Sequence, residues 1–216
     1  MFATTECTPS SQNRPMIGQN WFATNEGQWR AGEPSHLIED LTQPYRLYRF
    51  LTDLEDILDH IPDDSLRLQA MCPLVRKLLT SSTWLHMMPL QPDPEIGWEV
   101  TVLYNEPFFP LTVQLVAWSP GILSPIHNHA SWRLVALLSG QEKNIFWQRS
   151  LDSPDKIAPV GEQLLTPGDI LCFMPETIHQ IEALGDQPTI SFNLYGETDY
   201  DRRFEFDPIQ GTATHF

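Results

Sequence analysis

Positive charge is scarce in this sequence. Its 216 residues carry 13 Lys and Arg against 28 Asp and Glu, a formal net charge of −15. A surface of that sign repels phosphate backbones and anionic lipid, so neither nucleic acid nor a membrane surface is an expected partner. Cysteine is also rare. Cys7, Cys72 and Cys172 are odd in number and scattered, which is not a disulfide framework. No run of about 18 apolar residues occurs, so no membrane-spanning helix is expected. The opening MFATTECTPSSQNRP lacks a basic start followed by an apolar run, so no signal peptide is expected. Together these absences lead to the expectation of a soluble cytoplasmic protein. No repeat of solenoid length is visible. The length suits one domain with an appendage, or two small domains.

Three zones follow from the patterning. Residues 1–43 are rich in Ser, Thr, Asn, Gln, Gly and Pro, and read as a partly irregular arm that Trp21, Phe22 and Trp29 dock. Residues 44–95 read as a helical extension. Leu47, Leu51, Leu54, Leu58 and Ile61 form one apolar stripe, with Pro44 at its front and Pro62 at its end. A second stripe, Leu68, Cys72, Val75 and Leu79, follows Asp63-Asp64, and Pro73 is expected to kink or restart that helix. Residues 96–216 change to a period of two. Thr112–Trp118 and Lys143–Gln148 alternate, and Leu134–Leu138, Ile170–Phe173 and Thr189–Tyr195 are further short β-like runs. Turn signals such as Ser139-Gly140 and Pro167-Gly168-Asp169 separate them. Many short strands at close spacing predict a barrel or sandwich.

The chemistry-bearing segment is Gly121-Ile-Leu-Ser-Pro-Ile-His127-Asn-His129. Two histidines one residue apart on a strand face the same side and can share one ion. Imidazole suits iron, zinc, copper and nickel. A later unit opens with Pro167-Gly168-Asp169 and closes with Pro175-Glu176-Thr177-Ile178-His179, so His179 is the natural third ligand. Three histidines leave coordination positions open, as a catalytic metal needs. His36, His60, His86 and His215 lack such a setting and read as surface or packing residues. Trp118, Trp132 and Trp147 read as barrel packing or pocket walls, and Cys172 as a small core residue. Asp199, Asp201, Arg202 and Arg203 read as a solvated charged loop, with one arginine able to pair with the barrel rim.

The two histidine-bearing units resemble both motifs of the cupin superfamily. Within it, PIHNHASWRLVALLSGQEKNIFW, PGDILCFMPETIHQIEA and TISFNLYGETDYDRRFEFDP resemble the cysteine dioxygenase and mercaptopropionate dioxygenase family. The resemblance covers residues 98–208 and does not reach the first 40 or so. It implies a mainly β cupin fold, a double-stranded β-helix or jelly-roll barrel with an N-terminal α-helical extension. It also implies ferrous iron on His127, His129 and His179, and a small thiol and dioxygen as partners, the thiol becoming a sulfinate. Zinc, nickel and manganese are the alternative metals. Monomer and homodimer both stay open.

Several positions depart from that family. Counting back from Gly140, the place of a fourth ligand is taken by Arg133, which cannot ligate a metal. If residues 127, 129, 131 and 133 share a strand face, Arg133 points inward and needs an anion, either a substrate carboxylate or an internal acid. A bulge would turn it outward instead. The family's early-strand arginine, which binds the substrate carboxylate, falls on Trp98, Glu99 and Val100, where no arginine stands. Arg133 is expected to replace it, which makes a thiol carboxylate the expected substrate. The family's Ser-His-Tyr relay appears as Ser191, Asn193 and Tyr195. Tyr195 is expected either to orient the reacting oxygen or to fill the barrel. These departures leave a second function open: a non-oxygenase metal cupin that binds a small molecule or acts as a Lewis-acid isomerase or hydrolase.

Overall fold

The computed structural model describes residues 17–32, 45–153 and 156–215. Expectations placed on Cys7, His36, Pro44 and the Pro154-Asp155 turn lie outside these residues. No helix among them is long and apolar enough to cross a membrane.

The apolar stripes after residue 44 form helices. α1 spans Leu47–His60 and buries Phe50 and Leu54. α2 spans Asp64–Ser81 and starts where Asp63 caps it, its side chain accepting from the Leu66 amide at 2.9 Å. α2 runs through Pro73 without restarting. The carbonyl that Pro73 leaves without a helical donor belongs to Gln69, an exposed residue. A short α3 (Thr83–Met87) follows.

The rest is two sheets. The first holds β1 (Asn20–Ala23), β2 (Trp29–Ala31), β3 (Trp98–Asn105), β4 (Thr112–Trp118), β6 (Arg133–Ser139), β9 (Ile170–Phe173) and β11 (Thr189–Tyr195), in the order β2-β1-β9-β6-β11-β4-β3. The second holds β5 (Ile126–His127), β7 (Gln141–Arg149), β8 (Ile157–Leu165), β10 (Ile178–Leu184), β12 (Phe204–Asp207) and β13 (Thr212–His215), in the order β13-β12-β5-β10-β7-β8. From β4 to β7, and again from β9 to β12, the chain changes sheet at every strand. That alternation is the double-stranded β-helix, the jelly-roll barrel of the cupin fold. Gly140 makes the β6–β7 turn at φ 78°, and a Cβ there would meet the Pro188 carbonyl oxygen at 2.8 Å.

Within the first 43 residues, the described segment is regular where it docks. β1 runs parallel to β9 and antiparallel to β2, and so covers what would be an open sheet edge. Arg76 on α2 donates to the carbonyls of Gly18 and Gly168, and Trp29 stacks on Phe146 at 4.9 Å.

Side-chain parity sorts the first sheet into two faces. Val113, Leu115, Leu134, Ala136, Ile170, Phe192 and Leu194 face the helices and share one core with Phe50, Leu54, Met71 and Val75. The opposite parity enters the barrel. Val135, Leu137, Leu171 and Phe173 meet Phe146 and Leu165 from the second sheet. Cys72 and Cys172 meet in the helix–sheet layer, sulfur to sulfur at 3.6 Å, both free and buried.

Phe50 is fully buried and lies edge-on to Phe192 at 6.0 Å, tying α1 to the sheet. Phe50→Ala should destabilise the fold by about 3–5 kcal/mol, read as a lower urea midpoint. A loss under about 1 kcal/mol would show that the helices are an independent appendage.

A three-histidine candidate metal centre

Strand register brings the first two rings together. His127 ends β5 and stands directly opposite His179 on antiparallel β10, so both imidazoles leave the same face. His129 arrives by another route. β5 stops at His127, and residues 128–132 cross from the second sheet to the first, turning at Ala130 with φ 50°. Residues 127, 129, 131 and 133 therefore do not share one strand face, as the H-x-H spacing suggested. The crossing is clamped on both sides of His129. Asn128 donates to the Arg202 carbonyl and accepts from the Phe204 amide, each at 2.8 Å, and the Ala130 amide donates to the Pro175 carbonyl at 3.1 Å.

The three rings converge. His127 Nε2 lies 3.2 Å from His129 Nε2, which lies 3.1 Å from His179 Nε2, and all three ligand atoms fall within 4.8 Å of one another. Hydrogen bonds on the far side set two tautomers. His127 Nδ1 donates to the Pro125 carbonyl and His179 Nδ1 to Asn144 Oδ1, both at 2.9 Å. Asn144 is oriented in turn by donating to the Glu142 carboxylate at 2.8 Å. Both Nε2 lone pairs thus point inward. Burial pushes His127 down to about 4, and pushes His129 and His179 well below the usual imidazole value, with Arg133 adding to each shift. All three rings are neutral near pH 7, the form a metal requires.

Arg133 does point inward, as expected, although it opens β6 rather than continuing β5. It is buried. Nη1 donates to His129 Nε2 at 2.7 Å and to His179 Nε2 at 3.2 Å, and Nη2 donates to Asn193 Oδ1 at 2.9 Å. The guanidinium also lies over the rings of Phe173 and Tyr195, 5.4 and 5.1 Å from their centroids. Among the described residues no carboxylate forms an ion pair with it. Glu142 feels its charge: burial pushes that carboxyl up and Arg133 pulls it down.

The donor set suits a divalent ion. At a metal–nitrogen distance of about 2.1 Å, the two close Nε2 spacings subtend roughly 95–100°. The guanidinium uses the lone pairs of His129 and His179, so an ion and Arg133 exclude each other there. The residues fit a metal once Arg133 turns off the rings and the widest ligand-atom spacing, up to 4.8 Å, closes to within about 4.2 Å, twice a metal–nitrogen bond.

The remaining relay positions surround this floor. Asn193 joins Arg133 to Ser191, donating to its hydroxyl at 2.9 Å. The Tyr195 ring lies 5.4 Å from that of His129 and borders a cavity of about 440 Å³ above the histidines. Val100, where the resembling family places arginine, is an apolar part of the cavity wall. Of the charged run at 199–203, Arg203 is the arginine that reaches the barrel: it is half-buried and lines the cavity. Glu142 and Asn144 were missed from sequence. The alternation of β7 marked a strand, but its apolar face (Ile145, Trp147) looks away from the site, and the inward face carries Glu142, Asn144 and Phe146.

No family model matches the chain. Solved structures with a similar barrel include a cupin superfamily protein of Desulfitobacterium hafniense DCB-2, 13% identical over 52% of this chain and 85% of that one, TM-score 0.39. KdgF of Halomonas sp. is 18% identical over 53% and 91%, TM-score 0.40. A double-stranded β-helix protein of Klebsiella pneumoniae is 16% identical over 51% and 80%, TM-score 0.40.

Two substitutions separate support from competition. Asn144→Leu keeps the branched shape of the side chain but removes the acceptor for His179 Nδ1, and should weaken divalent-metal affinity about 10–100-fold. Arg133→Met frees the lone pairs of His129 and His179 and should strengthen Zn(II) or Co(II) binding at least about tenfold, since a charge-assisted bond of about 1.5–3 kcal/mol no longer competes. Competition against a chromophoric chelator reads both. Unchanged affinity in Arg133→Met would show that the guanidinium does not contest the site.

Proposed function

We propose that this chain is a mononuclear metal enzyme that oxidises a thiol to a sulfinate with dioxygen, in the manner of the cysteine dioxygenase family it resembles. The observation that carries the reading is the convergence of three neutral imidazoles, two of which, His127 and His129, line a cavity open to solvent. His127, His129 and His179 are the residues to hold the ion. Ferrous iron is the metal the resemblance implies; zinc, nickel and manganese fit the same donors. When bound, iron supplies open coordination positions and the redox capacity for oxidising sulfur. The net change balances as thiolate plus dioxygen to sulfinate: both oxygen atoms end on sulfur, which loses the four electrons that dioxygen gains.

The chain's own groups do the positioning. Arg133, once off the histidines, stays at the cavity floor as a permanent cation for the anionic end of the substrate. Tyr195 sets its ring beside His129 and places a phenol at the reacting end. Asn193 does not titrate and acts by orienting Arg133. Trp118, Val116 and Ile181 keep the wall apolar and restrict water.

A second reading, a non-oxygenase metal cupin that binds a small molecule or serves as a Lewis acid, is favoured by Val100 and Asn193 replacing the family's arginine and histidine. Oxygen uptake separates the two. The apo-protein is loaded with ferrous iron under anaerobic conditions, then mixed with cysteine, mercaptopropionate, cysteamine and larger thiol acids. Uptake with formation of a sulfinate carrying both atoms of labelled dioxygen is expected. Retained iron with no uptake on any thiol would favour the second reading.

A further inference from the structure

We infer that the ligand of the cavity is an amphipathic carboxylate whose apolar body is much larger than that of a three-carbon thiol acid. The inference rests on taking this cavity as the substrate site, and it adds a substrate class to that reading.

The wall above the histidines is mostly apolar, with Gln114 and Ser124 as its uncharged polar members. Val100 and Val116 come from β3 and β4, Ile122 from the following turn, and Ile181 from β10. Trp98 and Trp118 are cross-strand partners, with indole centroids 6.1 Å apart and tilted by 38°. They form an aromatic surface against which a flat or branched apolar group can pack. The rim continues the pattern. Ile96, Trp98 and Leu123 border the opening and are 56%, 41% and 54% exposed. Large apolar side chains gathered at one mouth mark a binding surface, unlike the same residues scattered singly.

Charge is confined to the floor and has one sign. Arg133 and Arg203 line the cavity, and among the described residues no Asp or Glu does. In a chain with a net charge of −15, a cavity with Arg133 in its lining and no acid among the described residues there favours an anion over an amine. A volume of about 440 Å³ falls in the range that takes drug-sized ligands. A three-carbon acid would leave the indoles and the rim facing water.

The test uses the Zn(II)-loaded full chain, which is redox-silent, and thiol-free probes. Butyrate, hexanoate, octanoate and 3-phenylpropionate are titrated by calorimetry, with octylamine as the charge control. Affinity should climb by up to about fourfold per methylene along the series, with octylamine not binding. Trp98→Ala, at an exposed rim position that leaves the core intact, should lower octanoate affinity at least about fivefold and leave butyrate nearly unchanged. A flat series, equal binding of octylamine, or an equal effect of Trp98→Ala on short and long acids would overturn the inference. Failure of thiol oxidation would leave this pattern standing. Oxygen uptake that is as fast with mercaptopropionate as with long thiol acids would overturn the pattern and leave the oxidation intact.

Discussion

The cross-strand pairing of His127 with His179 is the constraint on which the site depends. Antiparallel register puts the two imidazoles on one face, and burial keeps them neutral. The Pro125 carbonyl and Asn144 then decide which nitrogen looks inward. A neutral imidazole with its Nδ1–H tied to oxygen has one lone pair left, and the barrel aims it at the same spot as its neighbour's. His129 completes the group only because the crossing between sheets is clamped at Asn128 and Ala130. The site is therefore a product of barrel topology: two ligands come from one sheet, and the third from the segment leaving it.

The barrel interior is graded along its length. At one end Val135, Leu137, Leu171, Phe146 and Leu165 close it as dry core. At the other, strands of the same inward parity place Arg133, Asn193, Ser191 and Asn144 around the histidines. Burying this many polar groups is costly unless each finds a partner. Most do, through the chains Arg133–Asn193–Ser191 and His179–Asn144–Glu142. The exposed charge that makes the protein strongly acidic stays outside, so the cavity carries the opposite sign to the surface.

Much of this was legible in the sequence because two simple periods dominate it. The stripe at Leu47, Leu51, Leu54 and Leu58 foretold α1, and the runs at 112–118, 170–173 and 189–195 coincide with β4, β9 and β11. Asp63 marked the start of α2. The inward aim of Arg133 was tied in the sequence to a continuous strand face over 127–133, with a bulge turning it outward; neither holds, because the chain crosses between sheets and Arg133 opens β6 facing inward. A turn at Ala130 has no glycine to announce it. β1 was hidden because its support is long-range, a parallel pairing with β9 and the reach of Arg76 across from α2. Glu142 and Asn144 were hidden because alternation tells that a strand exists, not which of its faces turns inward. Arg203 sat in a run of charge that reads as surface, and only the closure of β12 against β5 brings it to the cavity.

X-ray absorption at the metal edge of the reconstituted protein tests the central claim most directly. One ion per chain is expected, with three imidazole nitrogens at about 2.0–2.2 Å, and the signal should be lost in His179→Ala. A protein that retains no ion, or one whose ion has no imidazole in its coordination sphere, would contradict the account.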